Sequence, residues 1–217
     1  MFGLLLALAG TAIILLLGEY LWRKKILKGE FARKFVHISC ATFVAFWPLF
    51  ISHNLIAAIS LLFVLVLLIV KKYKLFKSLR SVQRATYGEI WYALGIGLSA
   101  LIFNSDAVFA VAVLTMALAD GFAAVVGVSL KKQAKVFKIG KVKKSFAGTL
   151  TFIALSFLIN YFYWILTKNT PEGLSIIVLS ALSAMILGIA EVISPKGSDN
   201  VIVPILAGLL VWLPTYY

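Results

Sequence analysis

The chain predicts an all-α protein, a polytopic membrane helix bundle with seven or eight transmembrane helices. Three observations carry this expectation. Of its 217 residues, 62% are hydrophobic and the mean hydropathy is +1.03, too apolar for an ordinary globular domain. Its apolar runs approach or exceed the roughly 20 residues that cross a hydrocarbon core of ~30 Å. Nineteen of the twenty-one Lys and Arg residues fall in three stretches, 23–34, 71–84 and 131–144, the pattern of alternate loops retained in the cytoplasm. Continuous apolar runs without period-two alternation exclude a closed β-barrel.

The candidate spans are 2–22, 35–50, 55–70, 88–103, 107–130, 147–167, 174–194 and 201–212. The first, fifth, sixth and seventh have full spanning length. The others are shorter, which leaves the count at seven or eight. With the basic stretches cytoplasmic, the N-terminus lies outside. No positive region precedes 2–22, so that span is expected to be retained rather than cleaved as a signal peptide. One domain, 1–217, is expected, with a cytoplasmic basic loop at 131–146. Cys40 is the single cysteine, stands in an apolar context and reads as a small packing residue. The net charge of +13 fits membrane topology and attraction to anionic lipids. No nucleic-acid motif or aromatic interleaving accompanies it, so no nucleic-acid partner is expected.

Charges inside spans are costly and are functional candidates. Only eight acids occur. Glu19 is placed to pair with Arg23 one turn on, Glu30 offsets its basic neighbours, and Asp106 and Glu172 fall in external loops where solvation is expected. Glu89, Asp120, Glu191 and Asp199 remain. Asp120 lies mid-span, about ten residues or ~15 Å from the cytoplasmic end. Gly121 after it suggests a local helix break. Ala124, Gly127 and Lys131 share its face, leaving a slot that would admit a phosphate chain; a stripe of small packing residues would explain the first two as well. Arg33, Lys34 and His37 cluster at the start of the second span through i, i+3 and i, i+4 spacing. Snorkelling would account for the two cations, but not for the imidazole.

The segment from Lys143 and Lys144 through Ser145 to Gly148 and Thr149 joins the basic loop to the sixth span. Ser145 is a good N-cap, and free N–H groups at a helix start receive phosphate. It is not a Walker A loop, since Gly140-Lys141 is followed by Val142. Glu191 ends the seventh span and Asp199-Asn200 follow in a Pro/Gly/Ser-marked turn, where solvation or backbone capping would also explain them. Arg33, Lys34, His37, Arg84, Glu89, Lys144, Ser145, Glu191 and Asp199 all fall on one predicted side, with Asp120 beneath. Acids, cations and a helix start on one membrane face suit metal–nucleotide chemistry on a lipid alcohol.

These residues resemble the CTP-dependent integral-membrane lipid kinase family, which includes dolichol kinase, phytol and farnesol kinases and the yeast-type diacylglycerol kinase. The matching pieces are Arg33-Lys-Phe-Val-His37, then Arg84 with Gly88-Glu89 and Tyr92, then Ala119-Asp120-Gly121-Phe-Ala-Ala-Val-Val-Gly127. Lys144-Ser145-Phe-Ala-Gly148-Thr149 follows, and then Glu191 with Asp199-Asn200 and Pro204. They cover residues 33–208 in the family's order, and the chain looks most like short phytol-kinase-like prokaryotic members. Two departures bear on base recognition: residues 128–132 lack a glycine, and Ala147 stands where an acid is common.

The resemblance implies transfer of a phosphoryl group from a nucleoside triphosphate, CTP, to the hydroxyl of a membrane lipid alcohol, a prenol, polyprenol or diacylglycerol. It implies Mg²⁺ or a similar divalent cation, and an active site at the cytoplasmic face. Catalytic positions would be Asp120, Arg33, Lys34 and His37. Gly121, Gly127, Lys131, Lys143, Lys144, Ser145 and Gly148 would bind nucleotide, and Asp120, Glu191 and Asp199 metal. Other cytidine-lipid membrane enzymes are alternatives. A CDP-alcohol phosphotransferase needs an arginine after Asp120-Gly-Phe-Ala-Ala and further spaced aspartates, which are lacking, and a phosphatidate cytidylyltransferase needs a lysine–aspartate signature that is absent. A transporter would carry two repeated halves, which the sequence does not show.

Overall fold

The computed structural model describes residues 1–73, 88–130, 135–139, 142–171, 173–195 and 197–216, of which the side chains of 70, 71, 142, 143 and 216 are left aside. Among these residues the chain forms eight helices and one short ribbon. They are α1 (Phe2–Arg23), α2 (Gly29–Val44), α3 (His53–Lys72), α4 (Gly88–Ile102), α5 (Asp106–Ser129), α6 (Phe146–Thr167), α7 (Ile176–Ile193) and α8 (Asp199–Trp212). Four are long and apolar enough to cross a membrane: α1, α5, α6 and α7. They coincide with the four full-length runs in the sequence. Most of α3, together with α4 and the stretch Asp199–Thr215, forms shorter apolar helices. The molecule is thus a helical membrane protein.

Helix α5 is the axis. Two-thirds of its spanning window (67%) is buried, against 11% for α1, and it contributes residues to all three apolar clusters. Phe109, Val113 and Met116 pack with Trp47, Ile56 and Ile96; Val108 and Ala112 pack with Phe103, Trp164 and Val211; Ala119 and Ala123 pack with Phe152, Leu187 and Val203. Around it α3 lies on α4, α4 on α8, and α6 on α7, while α1 rests on α2 at the periphery. Serine hydroxyls cap three of the helices: Ser52, Ser105 and Ser145 accept from the N–H groups of Leu55, Val108 and Gly148. Each satisfies a donor that a helix start leaves free.

Three local features depart from the sequence reading. First, α5 does not break at Gly121. It runs through, widened into a π-helical stretch over Thr115–Asp120, a distortion common at functional sites. Second, α2 begins at Gly29, so Arg33 and Lys34 stand inside a helix rather than at its mouth. Third, part of the basic loop is folded. β1 (Val136–Ile139) and β2 (Val142–Ser145) pair antiparallel, with Phe137 opposite Lys144 and Val136 opposite Ser145. Val136, Phe137, Ile139 and Val142 are residue types favoured in strands, and the Phe137 ring lies 4.8 Å from that of Phe146 at the start of α6.

Candidate functional site

Asp120 ends the π-helical stretch, and its carboxylate is buried. From α2, Lys34 reaches across to donate to Asp120 Oδ2, and the lysine side chain is only 3% exposed. Snorkelling is therefore overturned for Lys34: its ammonium points into the bundle, onto a carboxylate. His37, one turn further along α2, is also buried. Its Nε2 donates to the Met116 carbonyl at 3.1 Å and lies 3.5 Å from Asp120 Oδ2. Tyr92 of α4 packs its ring against the imidazole at 4.7 Å and donates its hydroxyl to the His37 carbonyl at 3.2 Å. Arg33 is engaged by Glu30, three residues before it.

The second half of the site comes from the other end of the sequence. Glu191, near the end of α7, is 4% exposed, so solvation at a membrane boundary is overturned for it. Lys144 of β2 donates to Glu191 Oε1 and lies 3.7 Å from Asp199 Oδ2. Burial of the Lys144 ammonium works against its charged form, but Glu191 and Asp199 outweigh that and raise its pKa. Asp199 opens α8 immediately after a tight turn in which Gly197 has φ +89, and a Cβ there would come within 2.9 Å of the Gly88 Cα. Asn200 ties the same turn to α4 by donating its amide to the Gly88 carbonyl at 3.2 Å.

Asp120, Glu191 and Asp199 thus converge: one carboxylate oxygen from each lies within 4.8 Å of the others. A spread of up to 4.8 Å is wider than that of three ligands bound to one Mg²⁺ at about 2.1 Å, so the three acids would draw together to hold one ion. Glu191 Oε2 is buried without a hydrogen-bond partner, and all three donors are hard carboxylate oxygens of the kind Mg²⁺ takes. The residues present fit such an ion.

The glycines and the helix start have packing roles. A Cβ on Gly121 would meet Ile38, one on Gly127 would meet Ser145 Oγ at 2.9 Å, and one on Gly148 would meet the Ala123 carbonyl at 2.8 Å. Close approach of α5 to α2 and α6 accounts for them, and the Gly148 N–H is taken by Ser145 Oγ. Lys131 and Arg84 lie outside the described residues, as does the Lys143 side chain. Glu19 and Arg23 pair at 2.9 Å as their spacing implied. Asp106 is exposed, as its place in a connector implied, with its side chain 59% accessible, and it also meets His53 Nε2 at 2.9 Å. Nothing in the sequence around His53 signals this partner on another helix.

Fold and site define a helical membrane protein with a buried acid–lysine centre. The chain is 32% identical to the phytol kinase of Synechocystis sp. in an alignment of 218 positions that covers 97% of this chain and 91% of that protein. It belongs to the phytol-kinase-like family of lipid kinases. No protein-family model matches the chain. No solved structure matches it.

Proposed function

We propose that this protein is a lipid-alcohol kinase that transfers the terminal phosphoryl group of CTP to the hydroxyl of a membrane-embedded isoprenoid alcohol, at the cytoplasmic face. The observation that carries the reading is the convergence of Asp120, Glu191 and Asp199 within 4.8 Å, flanked by Lys34 and Lys144. A long apolar alcohol reaches such a site from the bilayer, and a nucleotide reaches it from water.

Asp120, Glu191 and Asp199 would hold Mg²⁺, which when bound supplies neutralisation of phosphate charge. Lys144, delivered by the ribbon to the start of α6, would meet the β- and γ-phosphates. Lys34 and Arg33 would offset charge on the phosphoryl group in transfer. His37, fixed by Met116 and Tyr92, would hold Asp120 in place. The alcohol oxygen forms a bond to the γ-phosphorus as the bond from that phosphorus to the β–γ bridging oxygen breaks. The hydroxyl proton passes to a carboxylate of the trio, and the nucleoside diphosphate departs. Phosphoryl transfer asks mainly for positioning and charge neutralisation, which three acids and two lysines supply.

The test is purified protein with Mg²⁺, each γ-labelled nucleoside triphosphate in turn, and a panel of phytol, geranylgeraniol, a polyprenol and diacylglycerol. Labelled lipid phosphate from an isoprenoid alcohol with CTP is the expected product. Absence of labelled lipid with every pair would refute the kinase reading.

A further inference from the structure

In this structure the cluster is largely neutralised from within. Three carboxylates face two ammonium groups, Lys34 on Asp120 and Lys144 between Glu191 and Asp199, so most of the negative charge that would attract a divalent cation is already answered. Lys144 is the outer of the two, 20% exposed against 3% for Lys34, and it touches two of the three acids. An ammonium and a dication cannot share that position, because like charges at such range in a buried site repel strongly. The carboxylates become available only when Lys144 has somewhere else to go.

We infer that Lys144 guards the acid trio in the free protein and moves to a polyphosphate on binding, so that divalent cation and polyphosphate enter the site together. This rests on the polyphosphate site proposed above. Two observations point to it beyond the acidic cluster: Glu191 Oε2 is buried and unpartnered beside the lysine, and Lys144 sits on a ribbon strand, outside the helical bundle. The exchange keeps each charge answered. Before binding, the lysine neutralises carboxylates; afterwards it neutralises phosphate oxygens while the cation neutralises the carboxylates. Binding of cation and polyphosphate is then reciprocally coupled, as linkage requires.

The experiment is equilibrium binding of Mn²⁺ to the purified full chain in detergent, read as the total manganese retained with the protein on ultrafiltration, because polyphosphate itself chelates Mn²⁺ and lowers the free ion without any protein. Wild-type protein should take up Mn²⁺ weakly alone, and about 10-fold or more tightly with tripolyphosphate or β,γ-methylene CTP, within the usual 5–150-fold range of coupling. Lys144→Gln should bind Mn²⁺ alone at least about 5-fold more tightly than wild type and lose most of the coupling. Lys144→Arg, which keeps the charge, should behave as wild type. Adding Asp199→Asn to Lys144→Gln should abolish the gain. Size-exclusion profiles establish folding, and Lys144→Ala serves as the second variant should Lys144→Gln not fold. Equal Mn²⁺ affinity in wild type and Lys144→Gln, or no effect of polyphosphate on wild type, would overturn the inference. A Lys144→Gln gain with coupling to tripolyphosphate but without lipid phosphorylation would uphold the guard and reject the kinase reading.

Discussion

Lys34 and Asp120, separated by 86 positions in the chain, form a buried ion pair between α2 and α5. Each residue is a costly choice in an apolar bundle, and each makes the other tolerable. Their pairing changes what substitution of Asp120 means, since the neutral amide of Asn would leave Lys34 buried without its counter-charge.

Asp120→Asn is therefore expected to lower both activity and stability. Breaking one side of a buried pair costs about 3–5 kcal/mol, and loss of a positioned acid–base group lowers kcat by about 10²-fold or more. The double variant Lys34→Gln with Asp120→Asn separates the two effects. Thermal unfolding in detergent should recover most of the lost stability, while kcat should stay down. Recovery of activity along with stability would show that Asp120 serves only packing.

Glu191→Gln and Asp199→Asn are expected to raise the Mg²⁺ concentration needed for half-maximal rate by about 10-fold or more, the range seen when metal-site groups are altered. Higher Mg²⁺ should recover part of the rate. An unchanged Mg²⁺ dependence in both variants would remove these acids from the metal site.

Lys144→Ala should raise the apparent KM for nucleotide far more than that for lipid, with part of the loss hidden at low salt because screening is weaker there. Equal effects on both substrates would place Lys144 away from the phosphates.

At the start of α6, Ser145→Ala removes the hydroxyl that caps the Gly148 N–H and should cost about 1 kcal/mol in thermal stability. Gly148→Ala should cost more, about 1–3 kcal/mol, because its Cβ meets the Ala123 backbone carbonyl at 2.8 Å. Gly127→Ala would bring its Cβ within 2.9 Å of that same Ser145 hydroxyl, displacing the cap, and should cost about as much as Ser145→Ala.

Orientation is checked by cysteine accessibility. Replacements at Asn104 and Lys168 should react only with reagents applied outside, with little background because the single native cysteine, Cys40, is buried. Labelling from the cytoplasmic side would reverse the topology that the basic stretches imply.

Helical class and the four helices long and apolar enough to cross a membrane were legible in the sequence because burial in a bilayer demands long unbroken apolar runs, and such runs are local. The acids at 120, 191 and 199 stood out for the same reason, as rare charges in an apolar chain. Which charge answers which was not legible. Lys34 read as a surface cation and Glu191 as a boundary acid, yet both are buried in ion pairs formed by elements distant in sequence. The π-helical stretch before Asp120 also escaped detection, since Thr-Met-Ala-Leu-Ala-Asp differs little from any apolar helical run. Composition and charge order alone determined a membrane helix bundle with its polar residues gathered toward one side. Only the packing of α2, α5, α7 and α8 with the ribbon decided that three carboxylates share one small volume with two lysines, because long-range electrostatic pairing depends on where helices cross.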